Sequence, residues 1–301
     1  FPTMSSPTLD DIDLTHETVR TNDCRLHCVT AGPADGDLVV LLHGFPEFWY
    51  SWKHQLPALV DAGYRVVAPD LRGYNRSAKP SGVAAYRIDE LVADVVGLLE
   101  HYGDGEGHVV GHDWGGLIAW QVGIDRPDAV ERLAVLNAPH PTKYDHHLRS
   151  SPSQLLKSWY VFYFQLPVLP EVGFRWNDYA VLESMFADTE TPDAFTDEDI
   201  ERYKSALATP GALTAAINYY RALGRQRLRG LVSGNSVPDQ RVDVPTMLVW
   251  GERDFALDAE LTEGLDEWVP DCRVEQIPDA SHWVQFDAPE RVNELLVDFL
   301  E

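Results

Sequence analysis

Short apolar runs separated by helical patterns recur along most of this chain, and this alternation restricts its fold more than any other feature. Six such runs end in turn residues, at 38–44, 64–70, 108–113, 132–138, 245–252 and 272–278. Helical patterns lie between or after them, at 87–103, 114–127 and 289–300. Buried strands that alternate with helices form right-handed crossovers. The sequence therefore predicts an α/β fold with a mostly parallel, twisted sheet flanked by helices.

Two further segments complete the predicted organisation. Residues 14–30 alternate in polarity around an Asn-Asp turn signal, which predicts a β-hairpin ahead of the apolar runs. Residues 139–242 contain helical and aromatic segments but no clear buried strand, and they are too long for a connecting loop. We expect a core domain of residues 1–138 and 243–301, with a helical cap domain of residues 139–242 inserted after the sixth strand.

The charge excludes several classes of partner. The 301 residues carry 24 Lys and Arg against 48 Asp and Glu, a formal net charge of −24. Such a surface repels nucleic acid and anionic membranes. No run approaches 18 apolar residues and no apolar leader opens the chain, so stable membrane insertion is not expected.

The cysteines favour a reducing compartment. Cys24 and Cys28 fall in one predicted strand, too far apart to be bridged, and Cys272 leaves an odd total. Free thiols and the absence of a leader predict a cytoplasmic protein. The oligomeric state is not predictable from these features.

The stretch "GHDWGG" (111–116) lies where an apolar strand runs directly into a helical pattern. Its G-x-D-x-G pattern predicts a sharp strand-turn-helix corner, at which Gly111 and Gly115 leave room for a crowded backbone. The corner exposes Asp113 where many hydrolases carry a serine. Taken alone, Asp113 could also be the N-cap of the helix.

Two further residues stand in the order expected for a catalytic triad. Asp254 follows the strand in "VWGERDF", and His282 lies in the loop before the last helix, in "IPDASHWVQF". Nucleophile, acid and histidine follow one another in this order in α/β-hydrolases. Asp254 would orient His282, which would take a proton from water.

With these motifs, and with "HGFPEFWYSW" (43–52) and "DLRGYNRSAKP" (70–80), the chain resembles α/β-hydrolases of the epoxide hydrolase family, which is related to haloalkane dehalogenases. The resemblance implies an oxyanion hole formed by the backbone amides of Phe45 and Trp114. It also implies a cis peptide before Pro46. Asn75 stands where the family commonly has glycine, and Asn tolerates the same left-handed backbone.

Residues of the cap determine which leaving group the predicted nucleophile displaces. The resemblance implies two tyrosines that polarise an epoxide oxygen, and "YFQ" at 163–165 and "YYR" at 219–221 assign them to Tyr163 and Tyr220. Tyr160 and Tyr219 are the neighbouring alternatives. We expect an epoxide hydrolase that uses an epoxide and water. There are two alternatives: a haloalkane dehalogenase with the same nucleophile, and a non-catalytic small-molecule-binding relative.

No cofactor is expected, because displacement by a carboxylate needs none. The scattered histidines predict no metal site. The segment "HPTKYDHH" (140–147) is interpreted as a solvated cap loop rather than a metal site.

The acidic surface leads to a prediction about salt. Only five of the 24 basic residues are lysine, a composition that suits a salt-adapted cytosol but also a GC-rich mesophile. Under the halophilic hypothesis, molar salt screens the repulsion between carboxylates, so the melting temperature and activity rise between low and molar salt. A thermal denaturation series in NaCl in which neither rises would contradict it.

Overall fold

Eight strands form a single sheet in the part of the chain that the computed structural model describes, residues 7–233 and 240–301. Their bounds are Thr15–Thr21 (β1), Cys24–Ala31 (β2), Leu38–Leu42 (β3), Arg65–Pro69 (β4), Gly107–His112 (β5), Val130–Leu136 (β6), Thr246–Gly251 (β7) and Cys272–Ile277 (β8). The order across the sheet is β1-β2-β4-β3-β5-β6-β7-β8. Strands β3 to β8 pair in parallel, and β1 and β2 are antiparallel. The predicted fold class is confirmed.

The α-helices lie between and after the strands. Their bounds are Gln55–Asp61 (α1), Ile88–Tyr102 (α2), Trp114–Asp125 (α3), Pro141–Ser150 (α4), Pro152–Lys157 (α5), Trp159–Tyr163 (α6), Leu169–Arg175 (α7), Ala180–Phe186 (α8), Asp197–Ala208 (α9), Ala212–Ser233 (α10), Val284–Asp287 (α11) and Pro289–Leu300 (α12). Helix α2 connects β4 to β5, and α3 connects β5 to β6. None of the helices among the described residues has the length and apolar character needed to cross a bilayer.

The central strands are covered on both faces, which is why they are apolar throughout. Val40 of β3 pairs with Val67 of β4 and Val109 of β5, and all three side chains are fully buried. Strand β8 differs from the prediction of a buried apolar run. It is the last strand of the sheet, and Arg273 and Val274 are exposed there.

The predicted hairpin is confirmed. Strands β1 and β2 pair from Thr15 with Thr30 to Thr21 with Cys24. The two turn residues Asn22 and Asp23 both have positive φ, 45° and 56°, as a tight two-residue hairpin requires.

The loops after β3 and β4 also follow the prediction. The Phe45–Pro46 peptide bond is cis. Asn75 has a φ of 37°, and its side chain donates a 2.9 Å hydrogen bond to the carboxylate of Asp70. Asparagine thus adopts the left-handed backbone at this position and adds a polar contact that glycine lacks.

All the helices between β6 and β7, α4 to α10, are together called the cap here. They lie within the segment expected to be helical, whereas the exact domain bounds stay a prediction. Several polar contacts join the cap to the rest of the chain, and three of them lie on α9 and α10. Asp199 of α9 accepts hydrogen bonds from Tyr50 (2.9 Å) and Lys53 (2.6 Å), and the Tyr219 hydroxyl donates to the Arg72 carbonyl (2.6 Å).

Candidate active site

The corner between β5 and α3 holds Asp113 in a left-handed backbone conformation, with a φ of 49°. Only glycine fits at the positions two residues before and two residues after it, Gly111 and Gly115. A Cβ on Gly111 would lie 2.2 Å from the Gly115 carbonyl oxygen, and a Cβ on Gly115 would lie 2.0 Å from that of Leu42. The close approach of β3, β5 and α3 therefore directs the strained aspartate out of the sheet.

The carboxylate of Asp113 contacts the loop after β3. The Phe45 amide donates a 2.7 Å hydrogen bond to Oδ1 of Asp113. This loop approaches so closely that a Cβ on Gly44 would lie 2.5 Å from the Cβ of Asp113. The Phe45 amide is thus in the position predicted for an oxyanion-hole donor, while the role of the Trp114 amide stays a prediction.

His282 lies between the two predicted acids. Its Nδ1 is 2.7 Å from Oδ2 of Asp254, and its Nε2 is 3.6 Å from Oδ2 of Asp113. Asp254 is held in turn by the backbone amides of Ala256 (2.7 Å) and Leu257 (2.9 Å), which both donate to its Oδ1. The structure therefore brings Asp113 together with two side chains, Asp254 and His282, that lie more than a hundred residues later in the sequence.

Asn137 is a further member of this group that the sequence did not reveal. Its Nδ2 donates a 2.8 Å hydrogen bond to Oδ2 of Asp254, and its Oδ1 accepts the Gly251 amide at 2.9 Å. Asn137 is buried and has a φ of 41°. A polar amide directly after β6, beside the strand that precedes Asp254, was the available signal.

A buried polar network lies behind the triad. Oε2 of Glu47 accepts the Gly44 amide (2.9 Å) and lies 2.8 Å from Nδ1 of His112. Nε2 of His112 contacts the His282 carbonyl oxygen (2.9 Å), and Gln285 donates to Oε1 of Glu47 (3.2 Å). The network connects the loops after β3, β5 and β8, so His112 is a structural link rather than a scattered histidine.

The charges in the site determine the protonation states of His282 and Asp113. Burial lowers the pKa of His282, but the carboxylates of Asp254 and Asp113 outweigh burial and raise it from 6.5 to about 10. For Asp113, burial raises the pKa, yet the hydrogen bond and charge of His282 bring it below the ordinary 3.8. An imidazolium beside an aspartate is therefore the resting state at neutral pH. The raised pKa of His282 adds to the free energy of unfolding. This contribution is complete below pH 6.5 and is lost as the pH rises through about 10.

The cavity above Asp113 has a volume of about 400 Å³. Tyr160 and Tyr220 both line it, with their ring centroids 5.9 Å apart. Burial raises the pKa of both phenols well above the ordinary value, so both are neutral proton donors. Apolar walls come from Trp114 and from Leu117 and Leu223 on either side.

Tyr163 does not line this cavity, contrary to the prediction. Its hydroxyl donates to the Leu169 carbonyl (3.1 Å), and its ring packs on Trp159 at the outer face of α6. The alternative, Tyr160, occupies the cavity instead. Phe164, directly after α6, is buried, and its ring lies 4.7 Å from that of Tyr220. Tyr219 also lines the cavity, but its hydroxyl is bonded to the Arg72 carbonyl.

One group of three potential metal ligands occurs among the described residues, outside this cavity. Atoms of His147, Asp258 and Glu260 lie within 4.8 Å of one another. The ammonium of Lys157 is 3.1 Å from Oδ1 of Asp258, so it already supplies a positive charge where a cation would bind. The segment 140–147 is also largely helical, as part of α4, rather than the expected loop.

Comparison with known proteins places the chain in a family. The alpha/beta hydrolase fold family matches residues 37–289. The AB hydrolase superfamily protein YfhM of Bacillus subtilis is 44% identical over 94% of this chain and 96% of its own length. Human epoxide hydrolase 4 is 39% identical over 99% of this chain and 81% of its own length.

Solved structures agree with this relationship. An epoxide hydrolase of Bacillus megaterium, in complex with an inhibitor, has a TM-score of 0.84 at 29% identity and covers 94% of this chain and 99% of its own. Potato epoxide hydrolase I has a TM-score of 0.81 at 29% identity, over 95% and 99%. The chain therefore belongs to the α/β-hydrolase superfamily and, within it, to the epoxide hydrolases, as the motifs predicted. Several of its relatives are named epoxide hydrolases.

The charge arrangement leads to a prediction for Asp113→Asn. Removing this carboxylate leaves His282 with one acidic partner, so the pKa of its ring falls by about 1–3 units. An NMR titration of the imidazole signals measures the change. The matched control is Asp145→Asn, because Asp145 lines the same cavity but is paired with Arg227. An unchanged pKa in Asp113→Asn would contradict the proposed coupling.

Proposed function

We propose that this chain converts an epoxide and water into a vicinal diol through a covalent ester on Asp113. The observation that carries the proposal is a carboxylate at the base of a cavity, with His282 and Asp254 behind it and two neutral tyrosines in front. The names of its relatives support the same chemistry. A carboxylate attacks saturated carbon by displacement, whereas a serine in its place would form an ether that water could not cleave.

In the first step, Oδ2 of Asp113 attacks an epoxide carbon while the Phe45 amide holds Oδ1. A carbon–oxygen ester bond forms as the ring carbon–oxygen bond breaks. The ring oxygen becomes a strongly basic alkoxide, so it needs an acid. Tyr160 and Tyr220 face the same cavity and donate hydrogen bonds to this oxygen, and one phenol transfers its proton to it.

In the second step, His282 acts as a base. Esterification removes the negative charge of Asp113, so the pKa of His282 falls and the ring gives up its proton to the phenolate left by the first step. The neutral ring takes a proton from water, which attacks the ester carbonyl carbon of Asp113. The amides of Phe45 and Trp114 stabilise the resulting oxyanion. Cleavage of the ester carbon–oxygen bond restores the carboxylate, and the leaving diol oxygen takes the remaining proton of the added water. His282 keeps the other proton, and Asp254 supports the charged ring. The chemistry requires no cofactor.

Haloalkane dehalogenation is the second candidate, because Trp114 directly follows the nucleophile and lines the cavity. A halide needs weak donors such as an indole N–H. In this chain the Trp114 ring packs edge-on against Tyr220, with the ring centroids 5.0 Å apart, and it offsets part of the rise that burial causes in the pKa of the Tyr220 phenol. The indole therefore supports a phenol that donates to oxygen, which favours the epoxide. A non-catalytic binding protein would have no need of the triad.

A cytoplasmic location is proposed from the cysteines. Cys24, Cys28 and Cys272 are free thiols. Burial raises their pKa values, to about 11, 12 and 11, and so protects them from oxidation. Free thiols of this kind are typical of a reducing compartment.

Trapping the ester tests the proposed reaction. His282→Gln is expected to accumulate a stoichiometric adduct with styrene oxide, on the peptide that contains Asp113, because ester formation proceeds without the base. Mass spectrometry of the digested protein measures it, with the double variant Asp113→Asn/His282→Gln as control. The wild type should form diol from styrene oxide and release no halide from a bromoalkane. Halide release without diol formation would contradict the proposal.

The cap tyrosines give a separate prediction. We expect Tyr160→Phe and Tyr220→Phe each to lower kcat/KM by roughly 10- to 100-fold, since each removes a donor to the ring oxygen. Tyr163→Phe loses the same hydroxyl group outside the cavity and should change kcat/KM by less than about threefold. Steady-state assays with melting temperatures separate activity from folding. A larger loss in Tyr163→Phe than in Tyr160→Phe would contradict the assignment.

A further inference from the structure

The cap exposes most of the large apolar side chains that solvent reaches. Within residues 7–229 and 240–301, whose exposure is described, nine of the twelve exposed large hydrophobic residues lie between 155 and 176, on α5 to α7 and the loops that join them. The most prominent of them are Leu156, Trp159, Phe162, Val168, Leu169 and Trp176. Trp176 is 76% exposed and Leu156 is 75% exposed, so these side chains are not merely at the margin of a core.

These helices form one surface rather than separate spots. Only Ser158 separates α5 from α6. Tyr163 joins α6 to α7, because its hydroxyl bonds to the Leu169 carbonyl and would lie 2.6 Å from a Cβ on Gly173. The nine side chains together expose on the order of 1,000 Å² of area, above the roughly 300–600 Å² of the largest patch on a typical monomer.

The charge of this surface contrasts with that of the chain. Between 155 and 176 the charged residues are Lys157, Glu171 and Arg175. Glu171 is buried against Arg221, at 2.7 Å, and Lys157 is paired with Asp258, at 3.1 Å, so the exposed Arg175 carries the remaining charge of this segment. Two copies of a chain with a net charge of −24 repel each other. The electrostatic repulsion between two copies is lowest where they meet through a surface that has no net negative charge.

We propose that the surface of α5 to α7, residues 155–176, binds a second copy of this chain in a two-fold symmetric contact. A stable interface buries about 800 Å² on each partner, and the exposed area here is sufficient. Trp and Phe are the residues that contribute most to such contacts. The inference does not depend on the proposed reaction.

A lipid bilayer fits this surface less well. Helices that lie on membranes surround their apolar face with Lys and Arg. The chain after Trp176 instead carries Asp178 and Glu183, and both carboxylates pair with Lys204. Lys204 is thereby neutralised, and the net charge of −24 opposes adsorption to anionic lipid.

The contact would also affect the proposed site. Helix α6 directs Trp159 and Phe162 outward, whereas Tyr160 of the same helix lines the cavity. Helix α6 has only five residues, so packing must hold it in place. A second copy would cover its outer face and thereby fix the position of Tyr160.

Sedimentation velocity over a wide range of protein concentrations tests the proposal. The wild type is expected to sediment as a dimer, and Phe162→Glu/Trp176→Glu should weaken association by about 100-fold or more. Val274→Glu makes the same change on β8, outside the surface, and should leave the dimer intact. Circular dichroism and melting curves establish that each variant folds. Added NaCl should tighten the wild-type dimer by screening the repulsion between copies.

Several outcomes would overturn the proposal. They are a wild type that is monomeric at every concentration, a double variant that still forms the dimer, and a dimer that dissociates as salt is added. Flotation with phosphatidylcholine vesicles adds another comparison. A monomeric wild type that floats with the vesicles, when the double variant does not, would assign the surface to a bilayer instead.

Discussion

The imidazole of His282 lies between two carboxylates, and the chemistry available to the site depends on that arrangement. Burial disfavours the charged ring, and the two acidic neighbours together outweigh burial and raise its pKa. In the proposed ester, Asp113 no longer carries a negative charge, so the pKa of His282 falls. The same ring can therefore be a cation in the resting site and a base in the proposed intermediate. Asn137 and two backbone amides keep Asp254 in place throughout.

Much of this site was predictable because the fold places it at the ends of strands. Parallel strands bring their carboxyl ends to one edge of the sheet, so Asp113 after β5 and Asp254 after β7 had to lie near each other. His282, in the loop after β8, joins them there. The glycines around Asp113 were predictable for a similar reason, because each compensates for a backbone approach that no side chain could tolerate.

The remaining features depend on packing between distant segments, and the sequence could not supply them. Tyr160 and Tyr163 are three residues apart on a short helix, and local pattern favoured the wrong one. Tyr160 and Phe164 both pack on Tyr220, more than fifty residues later, and a contact of this range has no local sequence signal. Asn137 was overlooked because an asparagine after a strand has many structural uses. Only the pairing of β7 with β6 shows that Asn137 holds the carboxylate of Asp254.

Phe45 serves the site twice, and this has a consequence for redesign. Its backbone amide holds Oδ1 of Asp113, while its ring packs edge-on against Phe164, Phe174 and Tyr220 of the cap. Replacing Phe45 to change the packing of the cap around Tyr220 would therefore also alter the position of the amide that contacts Asp113. Selectivity and rate would change together there. Directed evolution of this enzyme for new substrates should instead vary Leu117 or Leu223, which line the cavity from α3 and α10.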